Sequence, residues 1–114
     1  MSKFDEAVAT YMAEMKGTLG MSNVDEALLT SITKSLGPSI YNQDSSKVSC
    51  SDKTELDRVK ANFLINKLGL ADGPELDAAL QDACAKMGSS NRNKYRAIFY
   101  YLLVQKLGKE GMYK

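Results

Sequence analysis

The chain has 114 residues, a net charge of +1, and ordinary charged (25%) and apolar (44%) fractions, enough for one domain that buries roughly two thirds of its unfolded surface. It contains no histidine, which excludes Ser–His and Cys–His nucleophilic catalysis, histidine acid–base work and every His-containing metal site. Charge is unevenly shared: residues 1–57 carry nine acids and five lysines, residues 58–114 five acids and ten cations, so the two ends either pair with each other or leave a basic face for a partner.

Residues 2–16 are predicted to form the first helix. Ser2 with Asp5 three residues later is a capping-box variant, and Phe4, Val8, Tyr11, Met12 and Met15 share one stripe. Gly17 and Gly20 end it. A second helix is expected over 22–36, opening at Ser22, with Val24, Leu28, Leu29, Ile32 and Leu36 on one face and Gly37-Pro38 as the stop. Residues 37–51 then read as a long connection, with room for a short helical turn, that Ile40, Tyr41 and Val48 would pack.

The third helix is predicted over 52–68, capped by Asp52 with Glu55, and buried through the stripe Leu56, Val59 and Phe63, which Ala61, Leu64, Ile65 and Leu68 extend. Gly69-Leu70 resembles a Schellman ending. The fourth, over 74–87, starts on Pro74 and carries Leu76, Ala79, Leu80, Ala83, Cys84 and Met87 on its inner face. The fifth is expected over 90–107. From Ala97 to Val104 it has no charge and no amide, so it must be enclosed on all sides or paired. Lys34, Lys67, Lys86 and Lys106 each stand just before a glycine, placing a cation at the negative end of a helix dipole and a residue tolerant of left-handed backbone beyond it. No strand alternation is present. The expectation is an all-α, compact single-domain bundle, residues 1–114, of about five helices around the apolar C-terminal one.

Two cysteines are too few for a disulfide scaffold, and Cys50 and Cys84 lack Cys-x-x-Cys spacing. Cys84 reads as a small buried thiol. Cys50, beside Asp52, has no neighbour that would lower its pKa. The N-terminus lacks an apolar leader core, and the longest apolar run, eight residues from Ala97 to Val104, is too short to span a bilayer. A cytoplasmic, reduced protein with no membrane association is expected. No Walker, Rossmann, calcium-loop or metal spacing occurs, so no enzyme, cofactor or metal is expected.

One binding site is arguable. Ser89, Ser90, Asn91, Arg92, Asn93, Lys94 and Arg96 form a cationic collar at the predicted start of the last helix. Amides there favour an anion, whereas Arg92, Lys94 and Arg96 oppose the dipole at about 0.3–1 kcal/mol each where exposed. A phosphate or a nucleic-acid backbone would offset that cost. So would the chain's own acids, Asp5, Glu6, Asp25 or Glu26. Helix-turn-helix geometry fits poorly, because the helix turns apolar after two turns. Tyr100 and Tyr101 lie off the Tyr95/Ile98/Phe99/Leu102 stripe and, with Tyr41, mark a surface for a protein partner or a homodimer.

The stretches Gly-Pro-Ser-Ile-Tyr-Asn (37–42), Ser-Asp-Lys-Thr-Glu-Leu-Asp-Arg-Val-Lys-Ala-Asn-Phe-Leu (51–64), Lys-Leu-Gly-Leu (67–70) and Ser-Asn-Arg-Asn-Lys-Tyr-Arg-Ala-Ile-Phe-Tyr-Tyr-Leu-Leu (90–103) resemble a family of small bacterial proteins catalogued only as a domain of unknown function. The resemblance spans essentially the whole chain and implies a bacterial cytoplasmic protein. It transfers no activity, cofactor or residue role. The functional expectation is therefore a non-enzymatic binding module with an anion or nucleic-acid site at the collar. The alternative is a protein-interaction or homo-oligomeric module.

Overall fold

An apolar helix without a polar face dictates what surrounds it, and the computed structural model places α5 (Arg96–Lys106) at the centre of the molecule. The structure describes residues 3–17, 19–21, 24–41, 47–88 and 94–113. Ala97, Ile98, Phe99, Tyr101, Leu102, Leu103 and Val104 are all buried. Around them pack α1 (Lys3–Gly17), α2 (Glu26–Leu36) and α4 (Pro74–Met87). The third helix, α3 (Lys53–Val59), runs directly into a π-helix over Lys60–Lys67. Short 3₁₀ turns cover Gly37–Tyr41 and Glu110–Tyr113. One hydrophobic core joins all five α-helices, and the radius of gyration, 13.1 Å, is what one compact domain of this length requires. The all-α bundle around the last helix is the fold observed.

Local chemistry explains most boundaries. Asp52 caps α3, its carboxylate accepting from the Thr54 and Glu55 amides at 2.9 and 3.4 Å. All four glycines that follow a terminal lysine, Gly37, Gly69, Gly88 and Gly108, adopt positive φ, as a helix C-terminus with Gly beyond it demands. At Gly69 (φ 71°) the amide donates to Ile65 O and the Leu70 amide to Leu64 O, both at 3.1 Å. This nested closure is of the Schellman kind, wider by a residue because a π-turn precedes it.

Four expectations need correction. The second helix begins at Glu26 instead of Ser22, which lies outside the described residues. Asp25 is its cap, accepting from the Leu28 amide at 3.1 Å, while the Asp25 amide donates to the Tyr101 hydroxyl at 2.8 Å. The third helix is not α throughout: from Lys60 it widens, with Leu64 and Leu68 in the core at 0% and 2% exposure, while Ala61, expected on the buried face, is exposed. The fifth helix begins at Arg96 instead of residue 90. Tyr95 is extended (φ −63°, ψ 135°) because its backbone forms an antiparallel bridge with Lys47, and the Val48 amide donates to Lys94 O at 2.8 Å. Finally, Cys50 and Cys84 are not two separate thiols. They form a disulfide, with Cα atoms 5.9 Å apart, that ties the end of the long connection to α4. The Lys60 ammonium adds a second tie, meeting Asp72 at 2.9 Å and Asp77 at 3.1 Å. Asp72 first, and then Asp77, raise its pKa by holding the charged form.

The disulfide closes a segment of 34 residues, so its reduction is expected to remove about 3–4 kcal/mol of stability by releasing the unfolded chain. Urea denaturation with and without a dithiol reductant checks this. Coincident midpoints would show that the bond constrains nothing.

Candidate functional site

The cationic segment takes a different form from the one the sequence suggests. Ser90, Asn91, Arg92 and Asn93 lie outside the described residues. Lys94 and Arg96 are described, and the Lys47–Tyr95 bridge brings Lys47 beside them. Arg96 Nη2 donates to Glu55 Oε1 at 2.7 Å and to Lys47 O at 3.5 Å, while Nη1 donates to the Tyr100 hydroxyl at 3.3 Å. The pair is partly buried, with the two side chains 19% and 26% exposed. Arg96 is thus a clasp between α5 and α3, and the acid it meets among the described residues is Glu55, where the sequence suggests Asp5, Glu6, Asp25 or Glu26. Lys47 lies over the Tyr95 ring, its Nζ 5.6 Å from the centroid. Tyr95 in turn packs against Tyr11, ring centroids 5.0 Å apart.

The start of α5 is unlike the other helix starts. Asp25 and Asp52 cap α2 and α3, and α4 carries Glu75 and Asp77 in its first turn. In α5, Tyr95 offers no side-chain cap and the first turn has no acid. Positive charge therefore accumulates where the helix dipole is already positive.

The aromatic surface expected at Tyr41, Tyr100 and Tyr101 divides. Tyr41 is exposed (49%). Tyr101 is fully buried, its hydroxyl accepting from the Asp25 amide and from Gln105 Nε2, so it cannot meet a partner. An apolar neighbourhood that still supplies two donors explains why a tyrosine occupies the centre of the core. Tyr100 is half-buried, stacked on Phe63 with centroids 3.9 Å apart and planes at 15°.

Two clefts escaped sequence reasoning. The first, about 470 Å³, opens beside the disulfide and is lined by Cys50, Lys53, Asp57, Asp77 and Gln81 among others; its charges are of both signs. The second, about 180 Å³, lies between the end of α2, the π-helix and the C-terminal 3₁₀ turn, and is lined by Ser35, Leu36, Asn62, Phe63, Lys67, Tyr100 and Tyr113. There the Tyr113 hydroxyl oxygen is buried without a hydrogen-bond partner among the described residues. Burial raises its pKa, and the Ser35 side chain moderates the rise from nearby without reaching hydrogen-bond geometry. Tyr113 follows the last helix and belongs to no stripe, so periodicity gave no signal for it. Lys47 and Glu55 were equally invisible, because Lys47 reaches the site through the bridge and Glu55 through its ion pair with Arg96.

Among the described residues no group of three or more potential metal ligands gathers, and no helix is long and apolar enough to cross a membrane.

Arg96→Ala is expected to cost about 1–3 kcal/mol, since it strands a half-buried carboxylate. Adding Glu55→Gln should recover part of that loss, and a double-mutant cycle by urea melts gives the coupling. Additive losses would mean the pair carries none. At alkaline pH, Tyr11 behaves as a buried phenol whose pKa is pushed up to about 12, by burial first and by Tyr95 and Tyr41 next. Its folded pKa lies above its unfolded one, so its contribution is fully present below about pH 10 and lost between about pH 10 and 12. Tyr11→Phe should flatten that part of the stability–pH curve, measured by thermal melts.

No curated protein matches the chain. A family model described as "Protein of unknown function (DUF2853)" matches residues 10–111, and the chain belongs to that family.

Proposed function

We propose that this protein is a non-catalytic binding module of the bacterial cytoplasm whose ligand carries phosphate, either free or on a nucleic-acid backbone. The observation that carries the reading is the convergence of Lys47, Lys94 and Arg96 on the Lys47–Tyr95 bridge, at a helix start with neither cap nor acid. Ser90, Asn91, Arg92 and Asn93 immediately precede this junction in sequence and add donors and a further cation. Arg96 serves as the structural member, fixing the junction against α3 through Glu55. Lys47, Lys94 and Arg92 are the members that meet the ligand. An anion there interacts with both the cations and the positive end of α5. The bacterial cytoplasm is inferred from the family resemblance. The Cys50–Cys84 disulfide departs from the reduced state expected from sequence, since thiol pools in that compartment keep most cysteines reduced.

A second reading, self-association, retains only Tyr41 of its three aromatics, together with the exposed Met112 (51%). Sedimentation over micromolar concentrations tests it, and a strict monomer throughout removes it.

The first reading is tested by anisotropy titrations of a mixed-sequence duplex and a single strand against rising salt, with a Lys47→Ala/Lys94→Ala variant that spares the Arg96 clasp. Binding should weaken log-linearly with salt, and the slope should become shallower by about two in the variant. No binding at low salt by the folded protein overturns the nucleic-acid form. Titration with inorganic phosphate, read by amide shifts at residues 94–98, then decides the small-anion form.

A further inference from the structure

We propose that the cleft between the end of α2, the π-helix and the Glu110–Tyr113 turn is a binding site for a small carboxylate with an apolar body. The site is separate from the cationic junction and shares with it only Tyr100, whose ring lies between the two. Its lining includes one cation, Lys67, and three neutral polar side chains, Ser35, Asn62 and Tyr113, with no acid among them. Lys67 makes no ion pair among the described residues. Ser35 Oγ already donates to Ile32 O at 2.7 Å, which leaves the Tyr113 hydroxyl, the Asn62 amide and the Lys67 ammonium as donors. A set of donors that includes a cation and no acid selects an oxyanion.

The Tyr113 hydroxyl is the most informative of these groups. A hydroxyl taken from water without a partner is costly, and this one is buried just behind the cleft wall, near the Ser35 side chain but without a hydrogen-bond partner among the described residues. A small turn of the Tyr113 side chain would bring that hydroxyl to a carboxylate oxygen held in the cleft, which would accept its hydrogen bond. The remaining walls, Leu36, Phe63 and Tyr100, are apolar and aromatic, and Phe63 and Tyr100 are locked face to face. They suit a hydrocarbon or ring and give a fully hydrated phosphate little. At about 180 Å³ the space equals roughly six waters at about 30 Å³ each, below the usual range for larger ligands.

The π-helix makes this constellation. On an α-helix, residues five apart lie about 140° apart around the axis, so Asn62 and Lys67 would face different ways. The i→i+5 closure of a π-helix brings such residues onto one side, and both line the cleft here. π-turns are rare and concentrate at functional sites. Of the eight residues of this one, Lys60 to Lys67, Asn62, Phe63 and Lys67 line the opening.

The test uses the full chain and two-dimensional amide NMR, titrated with benzoate, butyrate, benzamide and inorganic phosphate. Benzoate or butyrate should give saturable shifts confined to residues 35–36, 62–67 and 110–113, with Kd on the order of 1 mM or tighter for about nine non-hydrogen atoms. Benzamide and phosphate should bind at least about tenfold more weakly. Lys67→Gln should weaken carboxylate binding by about tenfold or more. Tyr113→Phe separates a binding role from a structural one: it should leave the melting temperature of the ligand-free protein unchanged or raised, while weakening the carboxylate several-fold. The proposal is overturned by any of three results: no saturable shift for either carboxylate, equal binding of benzamide, or a Lys67→Gln variant with unaltered affinity. Shifts appearing only around residues 94–98 also overturn it, since they place the anion at the other site.

Discussion

A helix with no polar face has to be enclosed, and the whole arrangement follows from satisfying that demand for α5. Seven of its eleven residues are buried, so every other α-helix presents an apolar stripe to one shared core. The enclosure also creates a polar problem, because the central Tyr101 carries a hydroxyl into the interior. Its solution is the hydrogen bond from the Asp25 amide, which satisfies the phenol and fixes where α2 begins. One contact therefore sets both the centre of the core and the start of a helix packed on it. Thr33 shows the same economy at smaller scale, its buried hydroxyl returning to Leu29 O at 2.7 Å.

Around this core, three ties hold the third helix and its flanks. Arg96 clasps Glu55, Lys60 bridges to Asp72 and Asp77, and the disulfide fastens residue 50 to α4. Each crosses between elements whose apolar contact is limited: α3 buries only Leu56 and Val59. The π-helix that follows is thereby anchored at its first residue by Lys60 and at its end by Gly69 and Leu70. Between those anchors Phe63 is buried and stacked on Tyr100. Tyr100 also accepts from Arg96, so one half-buried ring separates the cationic junction from the C-terminal cleft and touches the machinery of both.

Much of the fold was legible because its rules are local. Stripes at helical spacing located all five helices, and the lysine–glycine endings matched four positive-φ glycines. The errors fall where a distant residue overrides a local preference. Ser22 and Asp25 are both good caps, and the Tyr101 hydroxyl favoured Asp25. Residues 94 and 95 fit a helix well, but pairing with 47 and 48 keeps them out of it and holds Tyr95 extended. The widening at Lys60 leaves no mark in periodicity, since residue spacing alone does not distinguish an α-turn from a π-turn across a stretch this short. Cys50 and Cys84 lie 34 residues apart, and only the fold brings a loop cysteine to the edge of α4. The site was legible in part. The cations were visible, while Lys47, Glu55 and Tyr113 entered through contacts between segments remote in sequence.

Because the helix that everything packs around is the last of the five, synthesis proceeds in an awkward order. The ribosome delivers α1 through α4 with their apolar faces uncovered, and the element that covers them emerges after all the others. Until then Leu28, Ile32, Leu80 and Met87 have no α5 to pack against, the condition in which nascent chains attract chaperones or one another. The shared core can therefore close around α5 only after that last helix has left the ribosome.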